Sequence, residues 1–440
     1  MYRIIDENII IKNLDNLEEN AATISMSKYE PTKDERNNVY SDIIKFIKEK
    51  KRIVYGGYAQ NSLILKKNKD DGFYKESDFA DIEFYSPTPV EDTIDLCDML
   101  HRKKYKYVEG SEGVHNETYK IFVNFINYCD ISYMPNNILK ICPYIEIHNM
   151  KMCHPHFMLI DAFRVYTDPM TSYFRLRKTF VRFNTLIKHY PLDDKMGYNT
   201  IEYKQNSKET EILRYIRKHI IHNSKLIVIG NYAFNYIMKK SHLKKLIGDN
   251  FYQLISTDYK NDIDLISRKL KSKYSNVMIK KYNPFFQFLD KSTEFYVNNV
   301  LILRVYNAYD RCTVYHYSKK KRTYFASYML LFMHNLIQYN IGRMKNNTFN
   351  INLYGYMLIQ MIQARNKYLD KKNLTVLDKT IFQEFTLECI GEPKDILRES
   401  RLEMMKKRES GKQSMFRYKP KGEPGKKPNF KFDNSSGEQI

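Results

Sequence analysis

Two acidic residues at alternate positions give this chain its clearest potential for metal chemistry. Asp81 and Glu83 lie in the segment Asp-Ile-Glu-Phe-Tyr, where acidic and apolar residues alternate as they do in a strand. Alternate residues of a strand project to one side, so these carboxylates can jointly hold divalent cations. Asp130, on a later predicted strand, would complete a site for two Mg²⁺ or Mn²⁺ ions. We therefore predict Asp81, Glu83 and Asp130 as catalytic residues and metal ligands.

A glycine pair upstream is suited to binding phosphate. Residues 52–55 predict a short strand that ends at Gly56 and Gly57, and a helix over 58–65 follows. Backbone N–H groups at such a turn can approach phosphate oxygens closely, because no side chain obstructs them. Asn61 and Ser62, early in the helix, can reach the same ligand or act as capping groups. We predict Gly56, Gly57, Asn61 and Ser62 as nucleotide-binding residues.

The surrounding pattern predicts mixed helices and strands. Thr32 and Glu35 have capping-box spacing, which predicts a helix that begins there. A helix over 92–101 and strands over 119–124 and 128–133 complete one α/β unit. The apolar spacing is helical again over 154–189 and from 323 to about 388.

An internal repeat indicates that this unit occurs twice. The segment Val-Tyr-Gly-Gly-Tyr-Ala-Gln-Asn at 54–61 matches Val-Ile-Gly-Asn-Tyr-Ala-Phe-Asn at 228–235. Downstream, we interpret Asp262 and Asp264 as the echo of Asp81 and Glu83, and Asp310 as the echo of Asp130. Asn231 replaces the second glycine and puts a side chain where a phosphate would pass, so the first copy is favoured as the active one. The carboxylates alone leave the state of the second copy open.

Composition points to a polyanionic partner. Lys plus Arg number 72 against 51 Asp plus Glu, a net charge of +21 that favours nucleic acid near the surface. Tyr (37) and Phe (25) supply rings that can stack on unpaired bases, although most of them will be core. The competing interpretation is that the lysines only keep the protein soluble.

Cysteine usage and hydropathy bear on the compartment. The six cysteines contain no Cys-x-x-Cys pair, and no run approaches the ~20 apolar residues of a membrane-spanning helix. We therefore expect a soluble protein in a reducing, intracellular compartment, without a membrane partner. Cys153, His154 and His156 lie close together, but only Cys142 is near them. We interpret them as a core thiol and surface imidazoles, not as a zinc site.

The order of these motifs carries a family resemblance. A strand, Gly-Gly, a helix, Asp-x-Glu and a later Asp together resemble the nucleotidyltransferase superfamily, which includes DNA polymerase β and poly(A) polymerases. In that pattern the glycines map to Gly56 and Gly57 and the carboxylates to Asp81, Glu83 and Asp130. The segments 77–86 (SDFADIEFYS) and 161–182 are similar to poly(A) polymerase catalytic subunits of large DNA viruses, both poxvirus and mimivirus-like. The gap from Gly57 to Asp81 is longer than usual, so residues 66–79 must form an inserted loop.

The resemblance implies an α+β fold with two tandem polymerase β-like domains, each with a mixed sheet, and a degenerate second copy. The implied division is an N-terminal segment (1–33), a catalytic nucleotidyltransferase domain (34–150), a helical connector (151–205), a second nucleotidyltransferase-like domain (206–322), a C-terminal helical region (323–400) and a basic flexible tail (401–440).

It also implies the reaction and the partners. Such an enzyme adds AMP from ATP to the 3′ end of single-stranded RNA without a template, with Mg²⁺ or Mn²⁺. It is expected in the host cytoplasm, in the viral factory, and in the virion. It acts as a homodimer, or with a processivity subunit as in poxviruses. Terminal uridylyl transfer, CCA addition, oligoadenylate synthesis and a non-catalytic RNA-binding scaffold remain the alternatives.

Basic runs are the candidate RNA-binding surfaces. Two of them lie in predicted helical or turn segments, and the third is the basic tail. The first run carries an interleaved Phe180. The residues are Arg175, Arg177, Lys178 and Arg182, and then Lys319, Lys320 and Lys321.

Overall fold

The computed structural model describes residues 1–75, 78–113, 117–192, 207–242, 250–308, 311–392, 395–411 and 416–421. These residues form two compact units. The first unit contains residues 1–139 and 144–153 and the described part of the segment from 396, and the second contains 140–143 and 154–395. Within these ranges, no helix is long and apolar enough to cross a membrane.

The part of the chain up to residue 192 alternates helices with short strands. Its elements, in order, are α1 (Ile4–Lys28), α2 (Lys33–Glu49), β1 (Ile53–Tyr55), α3 (Gly56–Leu65), β2 (Ile82–Ser86), α4 (Pro89–Arg102), β3 (Glu109–Glu112), β4 (Thr118–Val123), β5 (Ile126–Tyr133), α5 (Asn136–Ile141), β6 (Tyr144–Ile147), β7 (Met150–Cys153), α6 (Pro155–Tyr166), α7 (Pro169–Ser172) and α8 (Leu176–His189).

The part from residue 207 repeats much of this order. Its elements are α9 (Ser207–Ile216), β8 (Ile227–Ile229), α10 (Gly230–Lys240), β9 (Tyr252–Ser256), α11 (Tyr259–Lys273), β10 (Val277–Tyr282), β11 (Ser292–Val297), β12 (Val300–Asn307), β13 (Thr313–Ser318), β14 (Thr323–Ala326), α12 (Tyr328–Met344), α13 (Thr348–Lys372), β15 (Cys389–Ile390), α14 (Ile396–Glu409) and β16 (Arg417–Tyr418).

Local sequence signals account for several helix starts. The predicted helix start is confirmed: Thr32 is the N-cap of α2, and its hydroxyl oxygen accepts a hydrogen bond from the Glu35 N–H at 3.2 Å. Helix α3 begins two residues earlier than predicted, at Gly56, directly after β1. Strand β2 starts at Ile82, so Asp81 immediately precedes it.

The sheet of the first unit has one apolar and one polar face. Its described strands follow the order β16-β3-β4-β5-β2-β1-β7-β6, with β2 parallel to β5 and β1 parallel to β7. Val54, Phe84 and Ile131 share one face and are fully buried, and Glu83, Asp130 and Ser132 alternate with them along β2 and β5. On this apolar face, α4 lies so close to Gly110 that a Cβ there would be 2.4 Å from Thr93. The polar residues therefore share the opposite face.

The sheet of the second unit confirms the duplication. Its described strands follow the order β10-β11-β12-β9-β8-β14-β13-β15. The first seven of them correspond, in this order, to β3-β4-β5-β2-β1-β7-β6 of the first sheet. The parallel pairs recur as β9 with β12 and β8 with β14. The register shift between Ile121 and Phe122 recurs between Phe295 and Tyr296. The mixed α+β fold with two copies is thus as predicted.

Both chain ends differ from the prediction. Helix α1 is 25 residues long and has no buried residue, and the sequence pattern did not reveal it. The tail predicted to be flexible from residue 401 instead contains part of α14 and strand β16, which pairs with β3. A two-residue strand is too short to show a periodic pattern in the sequence. Its pairing also depends on a partner strand that is distant along the chain. Residues 422–440 lie outside the described residues.

The cysteines and histidines also differ from expectation. Cys312 and Cys389 form a disulfide that links β15 to the start of β13, with Cα atoms 5.4 Å apart. Cys153 is buried, but His156 is only 7% exposed and is not a surface imidazole. His154 is the N-cap of α6, where its ring accepts a hydrogen bond from the His156 N–H. Burial, the Arg343 charge and His156 lower the pKa of His154 to about 3.

Candidate active site

The predicted carboxylates are brought together on the polar face of the first sheet. Glu83 on β2 is directly opposite Asp130 on the parallel strand β5, so both side chains project to the same side. Asp81 precedes β2 by one residue and shares this side with Glu83. Burial, followed by the negative charges of Asp130, Asp81 and Glu83, raises the pKa of the Cys129 thiol. All three carboxylates are therefore within electrostatic range of one residue.

The glycine turn is built around Glu83. Gly56 has a φ of +69°, and a Cβ built there would lie 1.6 Å from Oε2 of Glu83. The Gly57 N–H donates to the same oxygen at 2.8 Å. This N–H lies in the first turn of α3, where backbone donors and the helix dipole attract an anion. The Glu83 carboxylate occupies the position that a phosphate oxygen would need.

Asp130 is held by a cation and an amide that the sequence did not single out. The ammonium of Lys120, directly opposite on β4, lies 2.8 and 2.6 Å from the two carboxylate oxygens. The Asn127 amide donates to Oδ1 at 2.9 Å. The Asp130 side chain is 14% exposed and that of Lys120 is 31% exposed. The Lys120 ammonium therefore occupies the position beside Asp130 that a bound metal ion would take.

The donor set fits divalent cations in its chemistry. Mg²⁺ prefers carboxylate oxygens, and the strand register aligns two of them on one face, with a third next to them. Across the described ranges, however, no group of three or more His, Cys, Asp or Glu side chains is close enough to hold a metal ion. Glu83 is turned to Gly57 and Asp130 to Lys120. Metal binding at this site would require both side chains to exchange these partners.

The two polar residues early in α3 are engaged within the protein. The Asn61 side-chain oxygen accepts hydrogen bonds from the backbone N–H groups of Phe73 and Tyr74, at 2.9 and 3.4 Å. Asn61 thus fixes the inserted loop predicted over 66–79. The Ser62 hydroxyl donates to the Tyr58 carbonyl at 2.8 Å. Neither of these contacts involves the Gly56 turn.

An aromatic and hydroxyl cluster flanks the carboxylates, and sequence inspection missed it. Tyr55 and Tyr85 stack with ring centroids 3.9 Å apart. The Tyr55 hydroxyl is 2.7 Å from that of Ser132, which is 3.0 Å from that of Thr118. Three strands are thereby linked across the polar face. The signal was present in the strand alternation, because Tyr55 precedes the glycine turn directly and Ser132 lies two residues beyond Asp130.

The second copy contradicts the predicted correspondence of its carboxylates. Asp262 and Asp264 lie on helix α11, not on a strand, so they do not echo Asp81 and Glu83. The Ser256 hydroxyl donates to Asp262 at 2.5 Å, as that of Ser86 donates to Asp92 at 2.6 Å in the first copy. Asp262 therefore corresponds to Asp92. The six-residue Ser-to-Asp spacing, common to both copies, could have revealed this.

The strand equivalents of Glu83 and Asp130 in the second copy are not carboxylates. Gln253 lies beside Gly230 as Glu83 lies beside Gly56, and a Cβ at Gly230 would be 2.5 Å from its side-chain nitrogen. Arg304, opposite Gln253 on the parallel strand, takes the position of Asp130. Glu294, opposite Arg304, takes the position of Lys120, so the ion pair is reversed. An amide and a guanidinium replace two carboxylates. Asp310 lies outside the described residues.

Glu294 and Arg304 form a closed network in the second copy. The Arg304 Nε donates to Glu294 at 2.8 Å, and the Tyr282 hydroxyl donates to the other carboxylate oxygen at 2.8 Å. Burial acts to raise the pKa of Glu294, but the Arg304 charge and the hydrogen bonds hold it below its ordinary value. Both carboxylate oxygens of Glu294 are engaged in this network, which therefore has a structural role.

Asp262→Ala should therefore lower stability and leave catalysis intact. The variant loses the partly buried hydrogen bond with Ser256, whose hydroxyl oxygen also accepts from the Asp258 N–H at 3.1 Å and so orders the turn. A loss of about 1–2 kcal/mol is expected, or a fall in the unfolding midpoint of about 2–5 °C. Differential scanning calorimetry measures the shift. A nucleotidyl-transfer rate reduced more than about tenfold in the folded variant would contradict a purely structural role.

A buried histidine predicts that the stability of the second copy falls in acid. His334 on α12 is 2% exposed, and its ring Nε2 lies 3.1 Å from the side-chain oxygen of Gln253. Burial, and then the Arg304 charge, lower the pKa of His334 to about 3. The folded state thus holds it neutral, whereas the unfolded chain takes up a proton below about pH 6.5. Its contribution to stability is complete above that pH and is lost as the pH falls towards 3.

His334→Gln should make the free energy of unfolding less dependent on pH. The glutamine amide can still donate to Gln253 but does not titrate, so the slope between pH 6 and 4.5 should decrease by about 1 kcal/mol per pH unit. Chemical denaturation of parent and variant at each pH measures both slopes. Equal slopes would show that His334 does not control the acid response.

The candidate RNA-binding residues lie in two places in the second unit. On α8 and just before it, Arg175, Arg177 and Lys178 are exposed, and Arg182 is half-buried. Phe180 is 49% exposed, and the Arg175 guanidinium lies 5.4 Å from the Phe174 ring centroid.

The second group of these residues occupies the turn between β13 and β14. Lys319 and Lys320 are exposed. Lys321 instead packs on aromatic rings, with its ammonium 4.7 Å from the Tyr232 centroid and 5.8 Å from that of Phe325. Lys319 and Lys320 are therefore exposed, whereas the charge of Lys321 lies against aromatic rings.

Comparison with known proteins agrees with this geometry. The family described as "Poly(A) polymerase catalytic subunit" matches residues 41–172, and that described as "APMV, Putative poly(A) polymerase, catalytic subunit, C-terminal" matches 184–440. A "Putative poly(A) polymerase catalytic subunit" of Acanthamoeba polyphaga mimivirus is 32% identical over 492 aligned residues, which cover 100% of this chain and 83% of that protein.

More distant and structural relatives agree. A protein with the same description from African swine fever virus (isolate Pig/Kenya/KEN-50/1950) is 31% identical over 153 residues, 33% of this chain and 32% of that protein. The structure described as "Crystal structure of the Megavirus polyadenylate synthase" aligns with a TM-score of 0.88 and 33% identity over 96% of this chain and 86% of that one. The fold and both halves of the sequence thus lead to one assignment. This chain belongs to the poly(A) polymerase catalytic subunit family.

Proposed function

We propose that this chain extends the 3′ ends of single-stranded RNA with AMP residues from ATP, without a template, at the polar face of the first sheet. The observation that carries this proposal is the register of Glu83 with Asp130, beside the phosphate-sized position at Gly57. In each cycle the RNA 3′-hydroxyl oxygen bonds to the α-phosphorus of ATP. The bond to the β,γ-diphosphate breaks, pyrophosphate leaves, and the hydroxyl proton passes to solvent.

The residues of the first copy would divide this work between phosphate and metal. Asp81, Glu83 and Asp130 would hold Mg²⁺ or Mn²⁺. When bound, such ions lower the pKa of the attacking hydroxyl and neutralise charge on the triphosphate. The Gly57 N–H, released from Glu83, would donate to a triphosphate oxygen. Lys120 would move from Asp130 and remain as a positive charge beside the reacting phosphate.

Sequence and structure together favour this function over a scaffold. The second copy keeps the same left-handed glycine but has an amide and a guanidinium in place of two carboxylates, so the carboxylates retained in the first copy distinguish it from a binding scaffold. RNA is proposed to lie on the exposed basic residues of α8, with Lys319 and Lys320. Homodimerisation and a separate processivity subunit both remain predictions.

The test is incorporation into a labelled oligoribonucleotide by the purified chain with Mg²⁺ or Mn²⁺ and each ribonucleoside triphosphate separately. Long products with ATP alone, lost in Asp81→Ala and kept in Asp262→Ala, would support adenylate addition at the first copy. Extension with UTP or CTP instead would favour another terminal transferase. No extension by the parent under any condition would make a scaffold the better interpretation.

A further inference from the structure

The described C-terminal strand β16 adds an edge to the sheet that carries the candidate carboxylates. It pairs antiparallel with β3, with Arg417 opposite Ser111 and Tyr418 opposite Gly110. The Glu112 N–H donates to the Phe416 carbonyl at 2.9 Å, and the Phe416 N–H donates to the Glu112 carboxylate at 3.2 Å. Residues 416–418 are thereby fixed in register on the first unit.

Alternation along this strand separates its apolar from its basic residues. The Tyr418 hydroxyl donates to Asp98 on α4 at 2.5 Å, and the Phe416 ring meets Tyr119 edge-on at 5.7 Å. Both rings therefore lie on the helix-covered face. Successive residues of a strand point to opposite faces, so Arg417 and Lys419 lie on the polar face with the carboxylates.

Strand register places Arg417 in the row of the candidate site. Arg417 is opposite Ser111, Ser111 is opposite Lys120, and Lys120 is opposite Asp130, which is itself opposite Glu83. Neighbouring strands lie about 4.8 Å apart, so Arg417 is about 14 Å across the sheet from Asp130. This separation corresponds to a few nucleotides of extended RNA backbone measured from a 3′ end at Asp130.

The charges of this row suit phosphate groups. Arg417 and Lys419 are 64% and 66% exposed, and both pair with the single carboxylate of Glu109, with Lys419 at 3.4 Å. Two cations on one anion leave one excess positive charge at the surface. Lys120, 31% exposed, stands between this pair and Glu83. The positive charges thus continue towards the candidate site.

We propose that Arg417 and Lys419 form a phosphate-binding subsite for the RNA primer, a few nucleotides upstream of the reacting 3′ end. This proposal rests on the proposed function, because the position of the 3′ end is taken from the candidate carboxylates. Phosphate contacts position a strand without selecting bases, which suits a primer of any sequence. The docked chain end would therefore act as part of the primer track.

The main test is equilibrium binding of labelled oligoadenylates of increasing length, measured by fluorescence anisotropy without ATP. Parent affinity should rise as the primer reaches the subsite, and Arg417→Gln with Lys419→Gln should remove that rise, weakening long primers about tenfold and dinucleotides hardly at all. The slope of log affinity against log salt should decrease by about 1.4, for two lost contacts. The Michaelis constant for ATP should not change.

Two further variants separate this subsite from general charge and from folding. Lys406→Gln with Lys407→Gln on α14 removes the same charge from exposed positions, one of them also ion-paired, and should leave primer binding unchanged. Glu109→Gln frees both cations from their carboxylate and should tighten long primers two- to threefold. If the ion pair only anchored the strand, Glu109→Gln would instead weaken binding as the double variant does, and the proposal would be wrong.

Because binding needs no catalysis, primer binding and nucleotide incorporation can fail separately. A parent that binds RNA with this length dependence but adds no nucleotide would keep the subsite and overturn the function. Equal effects of the Arg417 and Lys406 pairs on primer binding would overturn the subsite and keep the function.

Discussion

Glu83→Gln should reduce the rate of AMP incorporation by about a thousandfold or more, with the free energy of unfolding changed by less than about 1 kcal/mol. The glutamine carbonyl can still accept the hydrogen bond that Gly57 donates to Glu83 at 2.8 Å, so the start of α3 is kept. The amide has no negative charge to offer a metal ion. Single-turnover incorporation and calorimetry measure the two quantities.

The second copy supplies a natural precedent for this variant. Gln253 already occupies the equivalent position beside Gly230, in a strand and turn of the same geometry. The fold therefore tolerates an amide there. The reciprocal change, Gln253→Glu, provides the control and should leave incorporation within about twofold of the parent, because Arg304 replaces the partner carboxylate. A Glu83→Gln enzyme that keeps more than a tenth of the parent rate would remove Glu83 from the metal-ligand set.

The carboxylates and the glycine turn could be predicted because their signals are local. Asp81 and Glu83 are two positions apart on one strand, so the alternation alone places them on the same side. The duplication was likewise evident, because the glycine segment at 54–61 recurs at 228–235 with five of its eight residues identical. Each of these features needs only a few consecutive residues to be recognised.

The partners of the carboxylates could not be predicted, because they depend on strand register. Lys120 meets Asp130 only because β4 and β5 pair antiparallel with a particular offset and a register shift. Neither residue type nor spacing specifies that offset. Asp262 and Asp264 were matched with Asp81 and Glu83 by residue pattern alone. The strand register instead makes Phe251 and Gln253 the equivalents of Asp81 and Glu83.

Contacts between distant parts of the chain could not be predicted from the sequence either. Strand β16 is two residues long and finds its partner β3 about three hundred residues earlier. The sequence around this strand is rich in Lys and Pro, which is typical of a flexible tail. Only the docked rings of Phe416 and Tyr418 distinguish it from such a tail.

Gly56→Ala should both destabilise the first unit and abolish incorporation. A left-handed backbone costs a residue with a side chain about 1–2 kcal/mol, and Gly56 has a φ of +69°. The new Cβ would also lie 1.6 Å from Glu83 Oε2, so that the carboxylate must leave its position. The expected results are a midpoint lower by several degrees and a rate at least about a hundredfold lower.

Gly230→Ala is the matched control, because it imposes the same backbone strain where no catalysis is expected. Gly230 has a φ of +64°, and its Cβ would lie 2.5 Å from the Gln253 amide. Its midpoint should fall by a similar amount, while incorporation per folded molecule stays near the parent value. If both variants lost activity in proportion to their loss of stability, the role of the Gly56 turn would be structural only. If only Gly56→Ala loses it, the loss comes from the new Cβ, which fills the space beside the Gly57 N–H that a triphosphate oxygen would take once Glu83 is released.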